Sequence, residues 1–218
     1  MGFLDGICDF VSSAVSIISS SVGSLGDKLV STASRFLSVV EPYLGAITQI
    51  IGLISNLLGV KNENESVEEI GAKAMISDKK PDDFNSHTDY INHLRNDIKL
   101  DKEKFEKVGE VEKMARTAIG ATVLAKGIEE KKGFEIPTEA WVAMAKLGLE
   151  NKTNKETNAI LDTFKDGNLG DFAKFVDGDL GAKAEGEIGN KLVDMYQKLE
   201  PNSPIKDIEM KVMNMSNI

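Results

Sequence analysis

The sequence predicts an all-α protein, with an apolar Gly/Ser-rich N-terminal segment of two to three helices ahead of an acidic helical bundle. Three observations carry this. Apolar residues recur at three- and four-residue steps through most of the chain, the period of a helix face. No stretch shows sustained period-two alternation of Val, Ile and Thr. Helix-start signatures recur through the second half, at Ser66-x-x-Glu69, Thr153-x-x-Glu156 and Ser203-Pro204. Composition changes near Lys61 across the polar hinge Asn62–Glu65. The expected domains are therefore residues 1–60, an apolar membrane-insertion or assembly segment, and 61–218, an acidic soluble helical domain.

In the first helix, Phe3, Leu4, Ile7, Phe10, Val11, Ala14, Val15, Ile18 and Val22 share one face. Asp5, Asp9, Ser12, Ser13, Ser16, Ser19 and Ser20 fill the other. Gly23 and Gly26 predict a break. The second helix sets Leu25, Leu29, Ala33, Phe36, Leu37 and Val40 on one side, and Pro42 ends or kinks it. The third stretch, Tyr43–Val60, carries no charge and is about long enough to span a bilayer core. From Gly2 to Val60 only Asp5, Asp9, Asp27, Lys28, Arg35 and Glu41 are charged.

Gly45, Gly52 and Gly59 are spaced by seven, so on a helix they fall close to one line. A glycine inside a helix costs roughly 1 kcal/mol relative to alanine, so a row of them predicts close approach by another helix. The residues expected to meet lipid or a packing helix are Phe3, Ile7, Phe10, Val11, Ile18, Phe36, Leu37, Gly45, Ile47, Ile51, Gly52, Ile54, Leu58 and Gly59. Interfacial anchors carry Lys/Arg on their polar face. The Ser/Asp face here argues against a permanent electrostatic anchor.

In the acidic half, Ser66 opens a short helix through about Met75, and Lys79-Lys80-Pro81-Asp82 reads as a loop. Ser86 or Asp89 starts the next helix, with Tyr90, Ile91, Leu94 and Ile98 on one side. Asp101 is expected to cap one long run towards Lys131, burying Phe105, Val108, Val111, Met114, Ala115, Ala118, Thr122, Ala125 and Ile128. Gly133 stops it, and Pro137-Thr138 opens a helix with Trp141, Met144 and Leu147. Beyond the Thr153 signature come Ile160, Leu161 and Phe164, then Leu169, Phe172, Phe175 and Val176. The last two helices carry Ile188, Leu192, Val193, Tyr196 and Leu199, and the segment after Pro204.

Function is bounded mostly by exclusion. The 218-residue chain carries a net charge of -9 with a pI near 4.9, which disfavours nucleic acid as a partner, since phosphate binding needs clustered Lys/Arg. Cys8 is the only cysteine, consistent with a reducing cytoplasm and incompatible with a Cys-based zinc cluster. The first residues lack the basic start and cleavage site of a secretory leader, so the expectation is membrane association or export by a non-classical route.

Asp166-Gly-Asn-Leu-Gly170 recurs as Asp177-Gly-Asp-Leu-Gly181. As a calcium loop it fails at Ala182 and Ile188, and helix punctuation is the expected role. His87 and His93 are six residues apart, on different helix faces, with no H-E-x-x-H arrangement. No nucleophile elbow, P-loop or dinucleotide fingerprint occurs, so no enzyme, metal or cofactor is expected. The leading expectation is a membrane-active effector or toxin whose partner is a lipid bilayer. The alternative is an assembly protein that packs on copies of itself, or loads into a larger particle, secretion apparatus or chaperone.

Overall fold

The computed structural model describes the backbone of residues 3–216 and side chains from Asp9 onward. Every regular element among them is helical, as the sequence predicts. The chain divides into two compact units, Met1–Gly133 and Phe134–Ile218. The compositional change at Lys61 therefore falls inside the first unit. The apolar helices and the first acidic helices are built into one core.

That unit contains α1 (Phe3–Ser20), α2 (Val22–Val40), α3 (Leu44–Leu57), α4 (Val67–Ile76), α5 (His87–Asn96), α6 (Lys102–Glu106) and α7 (Glu110–Lys132). Helix α7 is its axis, and α1 to α5 all pack on it. Every residue from Ala118 to Ala125 is buried, two full turns with no solvent face. Those turns include Ala118, Gly120, Ala121, Thr122 and Ala125, so neighbours approach unusually closely. At Gly71 on α4 a β-carbon would lie 1.8 Å from the Arg116 carbonyl oxygen, and at Gly120 one would lie 1.9 Å from that of Val67. The α4 and α7 backbones touch there, and no side chain fits between them.

The predicted inner face of α2 is buried in full: Leu25, Leu29, Ala33, Phe36, Leu37 and Val40. Gly23 stays within the helix, and the break falls at Ser21 and at Gly26, whose φ of 73° and ψ of 157° lie in a region essentially reserved for glycine. Pro42 sits in a 3-10 turn, Glu41–Tyr43, between α2 and α3.

The stretch Tyr43–Val60 is shorter as a helix than its composition suggests. Helix α3 has 14 residues and ends in a turn in which Gly59, at φ 68°, donates its N–H to the Asn56 carbonyl at 3.1 Å. Its rise of about 21 Å is less than the roughly 30 Å of a bilayer core. Gly59 is thus outside the helix, so the three glycines form no continuous helical line. Gly45 faces open space, and Gly52 packs under Val67 and Lys61.

Two further expectations are corrected. The run from Asp101 is not continuous: Asp101 caps the five-residue α6, and α7 begins afresh after Gly109. Ile98 lies beyond the end of α5.

The second unit contains α8 (Thr138–Lys146), α9 (Asn154–Thr163), α10 (Leu169–Asp177), α11 (Ala182–Leu199) and α12 (Ile205–Met213). Its core holds Trp141, Tyr196 and the stacked rings of Phe164 and Phe172, centroids 5.3 Å apart. Ser66 and Ser86 cap α4 and α5 through their hydroxyls, as their signatures predict. Thr153 precedes α9 but makes no cap bond. Its partner Glu156 instead accepts from the Tyr196 hydroxyl at 2.5 Å, a long-range contact that local sequence does not reveal.

Replacing Gly120 with alanine forces the α4 and α7 backbones apart and should lower unfolding free energy by about 1–3 kcal/mol or more. Gly45→Ala meets open space and should be neutral or gain up to about 1 kcal/mol. Urea unfolding of the two full-length variants checks the contrast.

Candidate functional site

The chain's charge-poor helices form the outer wall of the first unit, and their two faces differ in kind. Ile18, Phe36, Leu37, Ile47, Ile51 and Ile54 are buried in the unit's own core, as is Gly52. Val11 and Leu58 are half-buried, Gly45 and Gly59 exposed, and Phe10 is 47% exposed. The side chains of Phe3 and Ile7 lie outside the described residues. Most of the expected contact face is therefore occupied internally. What faces outward is Ser, Thr and Gly, with the charged Asp9, Asp27, Lys28 and Arg35 and the apolar Phe10, Val22, Val39 and Leu57 among them.

Several hydroxyls of these helices share one geometry. Ser13, Ser16, Thr32, Ser38 and Thr48 each donate to the carbonyl four residues earlier in their own helix, at 2.7, 2.9, 2.8, 2.9 and 2.6 Å. Ser20 and Ser21 both donate to the Ile17 carbonyl. A hydroxyl whose proton is already bound to its own backbone loses less on leaving water than one relying on solvent. These hydroxyls therefore ask little of water, while the charged groups on the same helices remain exposed to it. Sequence reading saw the serines but not this pairing, which depends on each side-chain rotamer.

The wall is fastened to the acidic helices at three places. The Ser24 hydroxyl donates to the Met75 carbonyl at 2.8 Å. The stretch Asn62–Glu65, read as a polar hinge, is a clamp: Glu65 takes Lys73 at 3.2 Å, Arg95 at 3.0 Å and the Asn62 N–H at 3.2 Å. Lys73 is nearly excluded from solvent, and removing Glu65 would leave this buried cation only Glu69, at 3.6 Å. The third fastening is the exposed Lys28–Asp82 ion pair at 3.6 Å, at the edge of a cleft of about 600 Å³ beside α2 that Asp27, Thr32, His87 and Lys126 also line.

At that cleft Glu130 of α7 accepts the backbone N–H groups of His87 and Thr88 at 2.6 and 3.0 Å, an anion capping the positive end of α5. Burial pushes the Glu130 carboxyl up, but hydrogen bonds from Thr88 and His87 outweigh it and hold the group below its usual range. Burial pushes the His87 imidazole down; Glu130 opposes this and Lys126 adds to it. The His87 Nε2 is buried without a hydrogen-bond partner. Both groups bind protons less readily folded than unfolded. Each contributes stability that is present above its unfolded pKa and lost as pH falls towards its folded one.

No known protein family matches the chain. No curated protein or solved structure is similar to it either. The site is therefore read from its own geometry.

The two histidines take separate roles. His87 faces the cleft, while His93 Nδ1 pairs with Asp97 at 2.8 Å and its ring packs on Phe84. Among the described residues no three His, Cys, Asp or Glu side chains converge as a metal site. The repeated Asp-Gly segments punctuate helices: Gly178, at φ 73°, ends α10 and Gly181 precedes α11, while Gly167, at φ 90°, precedes α10.

Acidification from about pH 7.5 to about pH 5 crosses the ordinary histidine range and should lower the thermal midpoint. In His87→Gln the drop should be smaller, as scanning calorimetry at both pH values would show. Loss of the Glu130 cap in Glu130→Ala should cost about 1 kcal/mol at neutral pH, measured by urea unfolding.

Proposed function

We propose that the protein is a non-enzymatic membrane-active protein, an exported effector or toxin. In water it is carried with α1–α3 folded on α7, and it enters a target bilayer through those helices. The observation that carries this reading is the set of hydroxyls on α1 to α3, Ser13, Ser16, Thr32, Ser38 and Thr48, whose protons are bound within their own helices. Serine and threonine are accommodated in membrane helices by the same bond. The segment Val22–Leu57 also contains an 18-residue window of mean hydropathy 1.5, only 44% of it buried within the fold.

On transfer the inner face, with Phe36, Leu37, Ile47, Ile51 and Ile54, exchanges a protein core for lipid. Both are apolar, so the exchange itself costs little. Asp27 and Lys28 stand at the Gly26 break and Glu41 at the Pro42 turn, both natural water boundaries. Arg35 lies mid-helix and must reach headgroups along its stem or face a polar lumen. Helix α3 spans once the Gly59 turn straightens, since the 18 residues Tyr43–Val60 rise about 27 Å. His87, whose imidazole is made less basic by burial, lines the cleft beside α2, so its protonation at low pH favours release.

A second reading rests on Phe10, Val22, Val39 and Leu57, which are exposed apolar residues on the same helices. They suit a structural protein whose wall packs on copies of itself or on a larger particle.

Vesicle leakage separates the two. The purified protein should release dye from phosphatidylcholine vesicles, faster at about pH 5 than at about pH 7.5. Thr32→Asp/Ser38→Asp changes only exposed positions, so the soluble fold should persist. Each aspartate would cost about 2.5–3.5 kcal/mol within a bilayer, and leakage should fall at least tenfold. Wild-type protein that leaves vesicles intact at both pH values sinks the membrane reading. Concentration-dependent oligomers in sedimentation would then support assembly.

A further inference from the structure

We propose that the groove between α11 and α12 docks a basic amphipathic helix of a partner protein. This surface belongs to the second unit and does not depend on the membrane reading. Helix α11 buries Ile188, Leu192, Met195 and Tyr196 inside its own unit. A second row, Ala182, Gly186, Gly189 and Val193, is spaced four, three and four along another face and lines an open cleft of about 450 Å³. Phe175, Val212 and Met213 contribute its remaining apolar lining.

The floor of this groove is backbone. A β-carbon at Gly186 would meet nothing within 4 Å, and one at Gly189 would meet only the Phe175 ring at 3.9 Å. Glycine inside a helix is destabilising, and the unit's own packing makes no use of the missing side chain at Gly186. Room there serves something from outside. Beside it α12 exposes Ile205 by 45%, Met210 by 48% and Met213 by 72%. Flexible thioethers of this kind conform to an apolar partner face.

Charge selects the occupant. Glu185 and Glu209 line the groove, and among the described lining residues there is no lysine or arginine. A second copy would bring another net charge of -9 to an acidic rim, so a cationic partner fits and self-association does not. The row from Ala182 to Val193 extends about 16 Å, three helical turns. A helix with apolar residues at i, i+3, i+7 and i+10, flanked by Lys or Arg, matches that length and charge.

The test titrates the full-length protein into a labelled synthetic peptide of about 14 residues, with leucine at those positions and lysine on the flanks. A counterpart carries glutamate in place of lysine. At physiological salt the lysine peptide should bind one to one and gain helicity, and the glutamate peptide should bind at least about tenfold more weakly. Gly186→Leu fills the groove where nothing obstructs it. It should keep or raise the thermal midpoint while weakening the lysine peptide at least about tenfold.

Absence of binding overturns the proposal. So does equal binding by Gly186→Leu, which would mean adhesion to acidic surface at large. A concentration-dependent dimer that Gly186→Leu abolishes would assign the groove to a second copy, and also overturns it.

Discussion

The contact of α4 and α7 through Gly71 and Gly120 governs the first unit. Backbone meets backbone there, and a single β-carbon on either helix would collide with a carbonyl oxygen. Each glycine weakens its own helix by about 1 kcal/mol, so local preference works against this arrangement and packing must offset it. Seating α4 this close leaves the rest of the α7 circumference free for α1, α2, α3 and α5. Gly127 extends the pattern: a β-carbon there would sit 2.5 Å from Ile91 and 2.7 Å from Val60, so α5 and the end of the α3 turn also use the absence of side chains on α7.

The axis combines small residues, which admit close approach, with the fully buried Ile119, Val123, Leu124 and Ile128. The wall adds Leu29, Phe36, Leu37, Ile47, Ile50 and Ile54 to the same core. The fastenings of the wall are polar: the Ser24 hydrogen bond, the Glu65 clamp and the Lys28–Asp82 ion pair at 3.6 Å. The contact of α4 and α7 is made instead by close-packed backbone.

What the sequence revealed follows the range of the interactions involved. The six buried residues of α2 were legible because a strong 3.6-residue period leaves one solution. The caps at Ser66 and Ser86 were legible because they bond within their own turn. The Thr153 signature marked the start of α9 but not its bonds, because Glu156 pairs with Tyr196 forty positions away and a local motif carries no record of that competitor. The compositional change at Lys61 lies inside the first compact unit. Composition reports how an element meets water, not which other elements it packs on. The axis helix was legible as a run towards Lys131 with Ala115, Ala118, Thr122, Ala125 and Ile128 on its inner face, but not as an element buried on all sides from Ala118 to Ala125. The candidate face was read correctly as apolar, but its occupant, the chain's own core, is a tertiary fact.

Glycine spacing by itself therefore decides little, and the room around each glycine decides more. Gly45, Gly52 and Gly59 share a spacing of seven yet have three unrelated environments: open solvent, a side-chain contact and a turn of positive φ. Gly71 and Gly120 have no regular spacing, and their missing β-carbons are what the fold is built on. Gly186 and Gly189 differ again, because their row lies in the open groove, where the folded unit takes up little of the space. A helix glycine whose space the fold leaves unused either is a residue of no consequence or keeps a surface accessible. Where that space adjoins exposed methionines and carboxylates with no cation lining the cleft, the second explanation accounts for all three features at once.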